Sequence, residues 1–276
     1  MKIIRSNDML RRYMPNVLRS VAGEPSLLEK ILPVIAEAEE WLEKELAGKR
    51  IVDKLSTGDE NDRMFMQAAQ IIVYKAMSTA VPSLDLVLTP NGFGVVSNAN
   101  IAPASKDRVE RLASSLTEEW QKLATEMLDD LRGNTLWHDS PQFLQWSALL
   151  VSPRGLSRFF PEKQPLTSYA LYKSDLAMLE RLVVRNFLGE EYLSELRRGF
   201  WTDSISAADS KIISDVNVAL ARSLKGGAHC LDSLSDTVWA ILASPSDYPT
   251  WHTSRIAEIY KHKPFTNKKE NHGYFF

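Results

Sequence analysis

The sequence predicts a mostly α-helical protein carrying one β-hairpin, and three observations support that class. Apolar residues recur at spacings of three and four over long windows, as an amphipathic helix requires. Only Leu84–Asn98 switches to a two-residue period. Glycine and proline are sparse, 12 and 13 in 276 residues, and stand mostly between the periodic windows.

Ser6-Asn7-Asp8 reads as the start of a short helix through Tyr13, ended before Pro15. From Leu28, the positions Ile31, Ile35, Ala38, Leu42 and Leu46 form one stripe, and Glu37, Glu39, Glu40, Glu43 and Glu45 fill the other faces. This helix is expected to bend near Pro33 and to end at Gly48. Ser56–Asn61 reads as a loop. Asp62 opens a mostly buried helix, with Phe65, Ala69, Ile72, Val73, Ala76 and Ala80 on one face and Pro82 closing it. Leu84, Leu86 and Leu88 then alternate with polar and branched residues up to Pro90-Asn91-Gly92, a turn sequence in which proline presets φ and Asn-Gly tolerates positive φ. Phe93–Ser97 is the return strand. A lone two-stranded hairpin is marginal in water, so this one requires something to lie on, another subunit included.

Ser105 opens the strongest helix, with Val109, Leu112, Leu116, Trp120, Leu123, Met127 and Leu131 in one stripe up to Gly133. Leu136–Thr167 holds Pro141, Pro153, Pro161 and Pro165 among Trp137, Trp146, Phe159 and Phe160, and reads as a connector with one short helix near Gln142–Leu150. Helices follow at Asp175–Phe187, Glu190–Arg198, Ala207–Leu224, Leu231–Ala243 and Trp251–His262. The order Glu39–Leu46 then Asp62–Ser78 parallels Glu191–Arg198 then Ala208–Lys225. A diverged duplication, giving two similar helical halves, and amphipathicity without common origin both produce that parallel. The resulting divisions are a helical bundle with the hairpin at 1–135, a connector at 136–168, a second helical region at 169–263 and an extended aromatic tail at 264–276.

The 33 Lys and Arg against 35 Asp and Glu leave a formal charge of −2, so no global basic field attracts a nucleic-acid backbone. Cys230 is the single cysteine, which excludes an intrachain disulfide and a multi-cysteine zinc site. The basic residues near the start precede no apolar run of signal-peptide length, and no apolar stretch approaches the ~20 residues of a membrane span. A soluble, cytoplasmic protein is expected.

No phosphate-binding glycine loop, nucleophile elbow or HExxH pattern occurs. His138-Asp139 and His229-Cys230 are the local pairs able to titrate, and a loop histidine and a buried thiol are the simpler readings of them. Glu37, Glu40 and Glu43 share a face at the spacing of a di-metal carboxylate helix, but no Glu-x-x-His partner accompanies them, and a solvated face is the better reading. Arg11-Arg12, Arg197-Arg198 and Lys261–Lys269 are modest basic clusters, too small to favour nucleic acid. The sequence therefore nominates no catalytic, cofactor-binding or metal-binding residue and no small-molecule substrate. The terminal Tyr274-Phe275-Phe276 fold back on the protein's own surface or anchor a neighbouring chain.

The run Pro82–Asn98, continuing through Ala102-Pro103-Ala104-Ser105-Lys106, together with the Gly273-Tyr274-Phe275-Phe276 terminus, resembles an uncharacterised family encoded by Bacteroidetes bacteria, often among prophage structural genes. Met1–Arg132 is similar in outline to head-tail connector (head-completion) proteins of tailed phages, helical bundles in which a helix pair precedes a hairpin excursion and a long closing helix. The resemblance implies a non-enzymatic oligomer in virion assembly, with self-association or phage portal and neck proteins as partners and incorporation into a virion. On that reading Asn91, Gly92, Phe93, Gly94, Tyr274, Phe275 and Phe276 are the candidate contact residues. The alternatives are a helical scaffold unrelated to virions, or an enzyme whose site forms only in tertiary structure.

Overall fold

The computed structural model describes residues 2–14, 25–84, 86–89, 92–95 and 105–261. It is mostly helical and divides into two units, Met1–Tyr172 with Trp201–Asp203, and Lys173–Phe200 with Ser204–Phe276.

The first unit opens with α1 (Asn7–Tyr13), where Ser6 Oγ accepts the Met9 N–H. A capping box starts α2 (Leu27–Trp41): Ser26 Oγ accepts from Glu29 N at 3.3 Å and the Glu29 carboxylate accepts from Ser26 N at 2.6 Å. Pro33 lies inside α2 without ending it. Glu39, read from sequence as part of a solvated face, is buried instead. Its carboxylate accepts three successive backbone N–H groups, those of Lys2, Ile3 and Ile4, at 2.8, 2.9 and 3.0 Å. That arrangement draws the fully buried Ile3 and Ile4 onto α2.

Past Trp41 the helix widens into a π turn, Leu42–Ala47, closed by a bond from Gly48 N to Glu43 O at 3.0 Å. Gly48 has φ +82°, where a Cβ is disfavoured, and the chain re-enters α3 (Lys49–Thr57) at once. Asp62 caps α4 (Arg63–Ala80), whose Phe65, Ala68, Ala69, Ile72 and Ala76 are buried. Leu86–Thr89 (β1) pairs antiparallel with Gly92–Val95 (β2). The 26-residue α5 (Lys106–Leu131) then packs on α4 along its second half, burying Ala124, Leu128 and Leu131.

Residues 136–168 hold more helix than the connector reading anticipates: α6 (Thr135–His138), α7 (Pro141–Ser147) and α8 (Pro153–Ser157). Prolines start two of these helices, α7 and α8. Pro141 and Pro153 stand at the first helical position behind the caps Ser140 and Ser152, where the missing N–H costs nothing. Trp137 is fully buried. Its indole donates to Leu46 O at 2.9 Å, Trp146 donates to Glu45 O at 2.8 Å, and Gln142 Nε2 donates to Lys44 O at 2.8 Å. The last carbonyls of the π turn, which have no partner within their own helix, are thus taken by side chains from α6 and α7. Ser140 Oγ donates to Trp137 O at 2.6 Å and accepts from Phe143 N at 3.1 Å, fixing the bend between those two helices.

Helix α9 (Pro165–Val183) leads into the second unit, where a second π turn, Val184–Leu188, closes from Gly189 N to Val184 O at 3.0 Å. Gly189 has φ +78°. The unit continues with α10 (Glu190–Trp201), α11 (Ala207–Gly226), a 3₁₀ segment Ala228–Ser233 and α12 (Leu234–Ala243). Trp251–His262, expected as one helix, is two, α13 (Pro249–Thr253) and α14 (Arg255–Lys261), broken at Ser254, which caps the second. Trp251 is fully buried and donates to Phe187 O at 2.9 Å, and Tyr260 Oη donates to Asn186 O at 2.8 Å.

Both π-turn glycines occupy backbone space that an L side chain rarely adopts. A Cβ at Gly48 would also lie 2.8 Å from Gln142 Oε1, and one at Gly189 3.2 Å from Ile256 Cγ2. Gly48→Ala and Gly189→Ala are each expected to lower the unfolding free energy by roughly 1–3 kcal/mol, read from the denaturant midpoint of the full chain.

Candidate protein-contact site

The residues nominated for contact fall in two places. Gly92, Phe93 and Gly94 belong to β2, opposite Thr89, Leu88 and Val87. Asn91, with the turn residue Pro90, lies outside the described residues, as do Tyr274, Phe275 and Phe276. Before the strand pair comes the 3₁₀ turn Val81–Ser83 after α4, in which Ser83 Oγ donates to Ala80 O at 3.0 Å. Ser105 stands at the N-cap of α5 with extended backbone, and its carbonyl accepts from Arg108 and Val109 N–H, while its hydroxyl makes no capping bond.

The apolar stripe predicted along all of α5 is not buried along all of it. Leu116 is the first residue of α5 below a tenth exposure, and Leu112 is 44% exposed. Lys106, Asp107, Arg108, Glu110, Arg111, Ser114 and Ser115 are exposed. At 1.5 Å per residue, this first stretch extends roughly 15 Å beyond the packed part of the helix. Leu84, at the exit of α4, is 39% exposed. Arg108, Leu112, Ser115 and Glu119 follow at spacings of four, three and four, so they share one exposed face.

The remaining nominated groups are held in local structure. His138 Nε2 lies 2.7 Å from Arg132 O; a carbonyl only accepts, so Nε2 carries the proton. Asp139 pairs with Arg50 at 3.2 Å. Glu43 and Asp53 both hold Lys2, whose pKa the bond to Glu43 chiefly raises. Glu40 pairs with Lys44, and Glu37 does not join them in a ligand set. Arg11 pairs with Asp8, and Arg197 with Glu180 at 2.7 Å. Cys230 is half-buried with a free thiol, and the side chain of His229 lies outside the described residues. Among the described residues no group of three His, Cys, Asp or Glu side chains is placed to hold a metal ion.

An open hollow of about 500 Å³ lies on α5, among Asp107, Glu110, Arg111, Ser114, Ser115 and Glu118, and each unit has a further cleft. In the first unit one of about 300 Å³ is lined by Ile51, Leu55, Asp62, Met64 and Phe65. In the second, one of about 350 Å³ is lined by Lys211, Asp215, Arg222, Asp236, Thr237 and Tyr248. Thr237 Oγ1 donates to Asp215 at 3.3 Å, and burial raises the Tyr248 pKa. Among the described residues that Thr237–Asp215 bond is the one hydroxyl–carboxylate contact in these two clefts, and no third group orients Asp215 as a triad would require.

A half-buried lysine serves packing. Lys75 Nζ sits 4.9 Å from the ring centroid of Trp41 and 4.4 Å from that of Trp120, clasping α2, α4 and α5 together. Burial lowers its pKa, and Glu37 partly offsets that. Asp129 is raised, mainly by burial, against the opposing pull of Arg154 at 2.8 Å and Arg132 at 3.9 Å. Sequence reading missed this cluster because its members come from α5, α8 and the turn at Asp203.

Residues 15–144 match a family of unknown function, DUF6712. No curated protein and no solved structure matches the chain. No helix among the described residues is long and apolar enough to cross a membrane.

The burial of Lys75 has a signed pH signature. Its folded pKa lies below the unfolded 10.5, so its contribution to stability is full above 10.5 and is lost as pH falls through the folded value. Lys75→Met removes that dependence. The stability of the parent minus that of the variant is expected to rise with pH across the interval below 10.5, measured by urea unfolding at stepped pH.

Proposed function

We propose that this chain is a non-enzymatic structural protein that acts by protein–protein contact, and that the arm formed by the Leu84–Asn98 hairpin and the first half of α5 meets a second copy of the chain. The virion head-tail connector is the form of this role that the sequence resemblance implies. The observation that carries the reading is the exposed face of α5. A helix stripe that is apolar by sequence is buried only from Leu116 onward, and Leu112, 44% exposed, stands on a face otherwise made of charged and small polar residues. The face is self-complementary in charge. Laid antiparallel on its copy about a two-fold axis near Ala113-Ser114, it sets Arg108 against Glu119 and Leu112 against Ser115, and small residues at the centre allow close approach. The flanking hairpin would gain the backing that two strands need.

Light scattering across a concentration series tests this on the full chain, on Leu112→Glu, on Arg108→Glu and on a chain ending at Lys263. The full chain is expected to associate, Leu112→Glu to weaken association by at least about tenfold, and Arg108→Glu combined with Glu119→Arg to recover part of what Arg108→Glu loses. Association lost in the chain ending at Lys263 and kept in Leu112→Glu would move the contact to the aromatic tail. A monomer at every concentration would overturn self-contact through the arm.

A further inference from the structure

We infer that residues 173–261 are a second, diverged copy of the module that the first unit contains, and that the hairpin and first half of α5 are an addition to a module complete without them. This inference stands whether or not the arm self-associates.

The two units repeat one bonding scheme, counted from the glycine that closes each π turn. The carbonyl two positions before the glycine accepts a tryptophan indole in both: Leu46 from Trp137, and Phe187 from Trp251, at 2.9 Å each. The carbonyl three positions before accepts an aromatic donor nine residues beyond that tryptophan: Glu45 from Trp146, and Asn186 from Tyr260, at 2.8 Å each. The residue after each of Trp137 and Trp251 is a histidine whose Nε2 bonds a carbonyl of the preceding helix region, His138 to Arg132 at 2.7 Å and His252 to Ile241 at 2.9 Å. Two positions further stands a serine, Ser140 or Ser254, whose hydroxyl donates to its tryptophan's carbonyl at 2.6 Å. The same serine oxygen accepts the N–H three residues on, from Phe143 or Ala257. A Cβ on either glycine would meet equivalent partners, Ser140 and Gln142 in one unit, Ser254 and Ile256 in the other, with Glu191 in addition at Gly189.

Burial follows the same count. Ile35, Ala38, Glu39, Leu42, Ile51, Val52 and Leu55 answer to Leu176, Leu179, Glu180, Val183, Tyr192, Leu193 and Leu196, and every one is buried. Helical amphipathicity would place apolar residues in phase. It would not place a buried glutamate nine positions before each glycine, nor two indoles on equivalent carbonyls.

What differs is equally informative. Between α4 and α5 the first unit inserts the segment containing β1 and β2, where the second passes from α11 to α12 through Gly227–Ser233. Helix α5 has 26 residues and α12 has 10, yet Ala124, Leu128 and Leu131 of one match Leu234, Val238 and Ile241 of the other in spacing and burial. One copy builds its scheme without the arm.

A segment transplant tests the duplication. In the full chain Trp137–Ser147 is replaced by the eleven residues of Trp251–Lys261, and in a second chain the exchange is made in reverse. The control places Glu190–Phe200, an equally long amphipathic segment with no such box, at the same two positions. Thermal unfolding is expected to stay cooperative, with a midpoint within about 5 °C of the parent in at least one transplant, whereas both controls fall much further. Transplants that fall as far as their controls in both directions would overturn the duplication. Replacing Leu84–Ser115 with Gly227–Ser233 is expected to keep a single unfolding transition; loss of that transition would overturn the claim that the arm is an addition.

Discussion

Everything in the first unit depends on what completes the carbonyls at the end of its first long helix. A helix that widens into a π turn and stops at a glycine leaves its last C=O groups pointing out of the helix with no internal partner, and a buried, unsatisfied carbonyl costs about 1–3 kcal/mol. Water cannot serve beneath Trp137, which is fully buried. The indole does, and by doing so it fixes where α6 and α7 lie, which in turn places Ser140 and the pocket around Gly48. The second unit meets the same demand with Trp251 and Tyr260. The substitution of a phenol for an indole at the outer carbonyl shows what is required: one donor hydrogen on a flat, largely apolar side chain.

The arm differs from the rest of the first unit in its charge pattern more than in its apolar exposure: Leu84 and Leu112 are exposed, but so are Leu32, Leu144 and Leu171. The charges there alternate in sign along the helix, with the Lys106–Glu110 pair at 3.5 Å of the exposed kind that adds little stability. Such a surface contributes little to its own fold, which is the physical sense in which it is available for another role.

The legible part of this structure was the part written in local periodicity. The stripes of α2, α4, α5 and α11 appear at their expected places because amphipathic spacing is a local property. The clamps are not local: Trp137 and Leu46 are 91 residues apart, and nothing in either neighbourhood names the other. Glu39 resembled its exposed neighbours because its partners are backbone groups near the start of the chain. The duplication inferred above uses a different register from the parallel that the sequence suggests. Pairing Glu39–Leu46 with Glu191–Arg198 is displaced by eleven positions from the structural match, which pairs Glu39 with Glu180. Eleven residues are close to three helical turns, so the apolar stripes remain in phase and periodicity cannot choose between the two. The glycine and the tryptophan-histidine box can. For the contact residues, sequence marked the turn by its chemistry, whereas the exposed face of α5 emerges only once the buried length of that helix is known.

The separation between each carbonyl and its indole also orders events during synthesis. At roughly 5–20 residues per second, the Leu46 carbonyl waits on the order of 5–20 s before Trp137 is made. Until then the Leu46 carbonyl has no route to its native partner. Trp251 follows Phe187 by 64 residues, so the second closure comes after a shorter wait. A nascent chain of this protein therefore passes through two successive intervals of incompleteness, each ended by the arrival of one tryptophan.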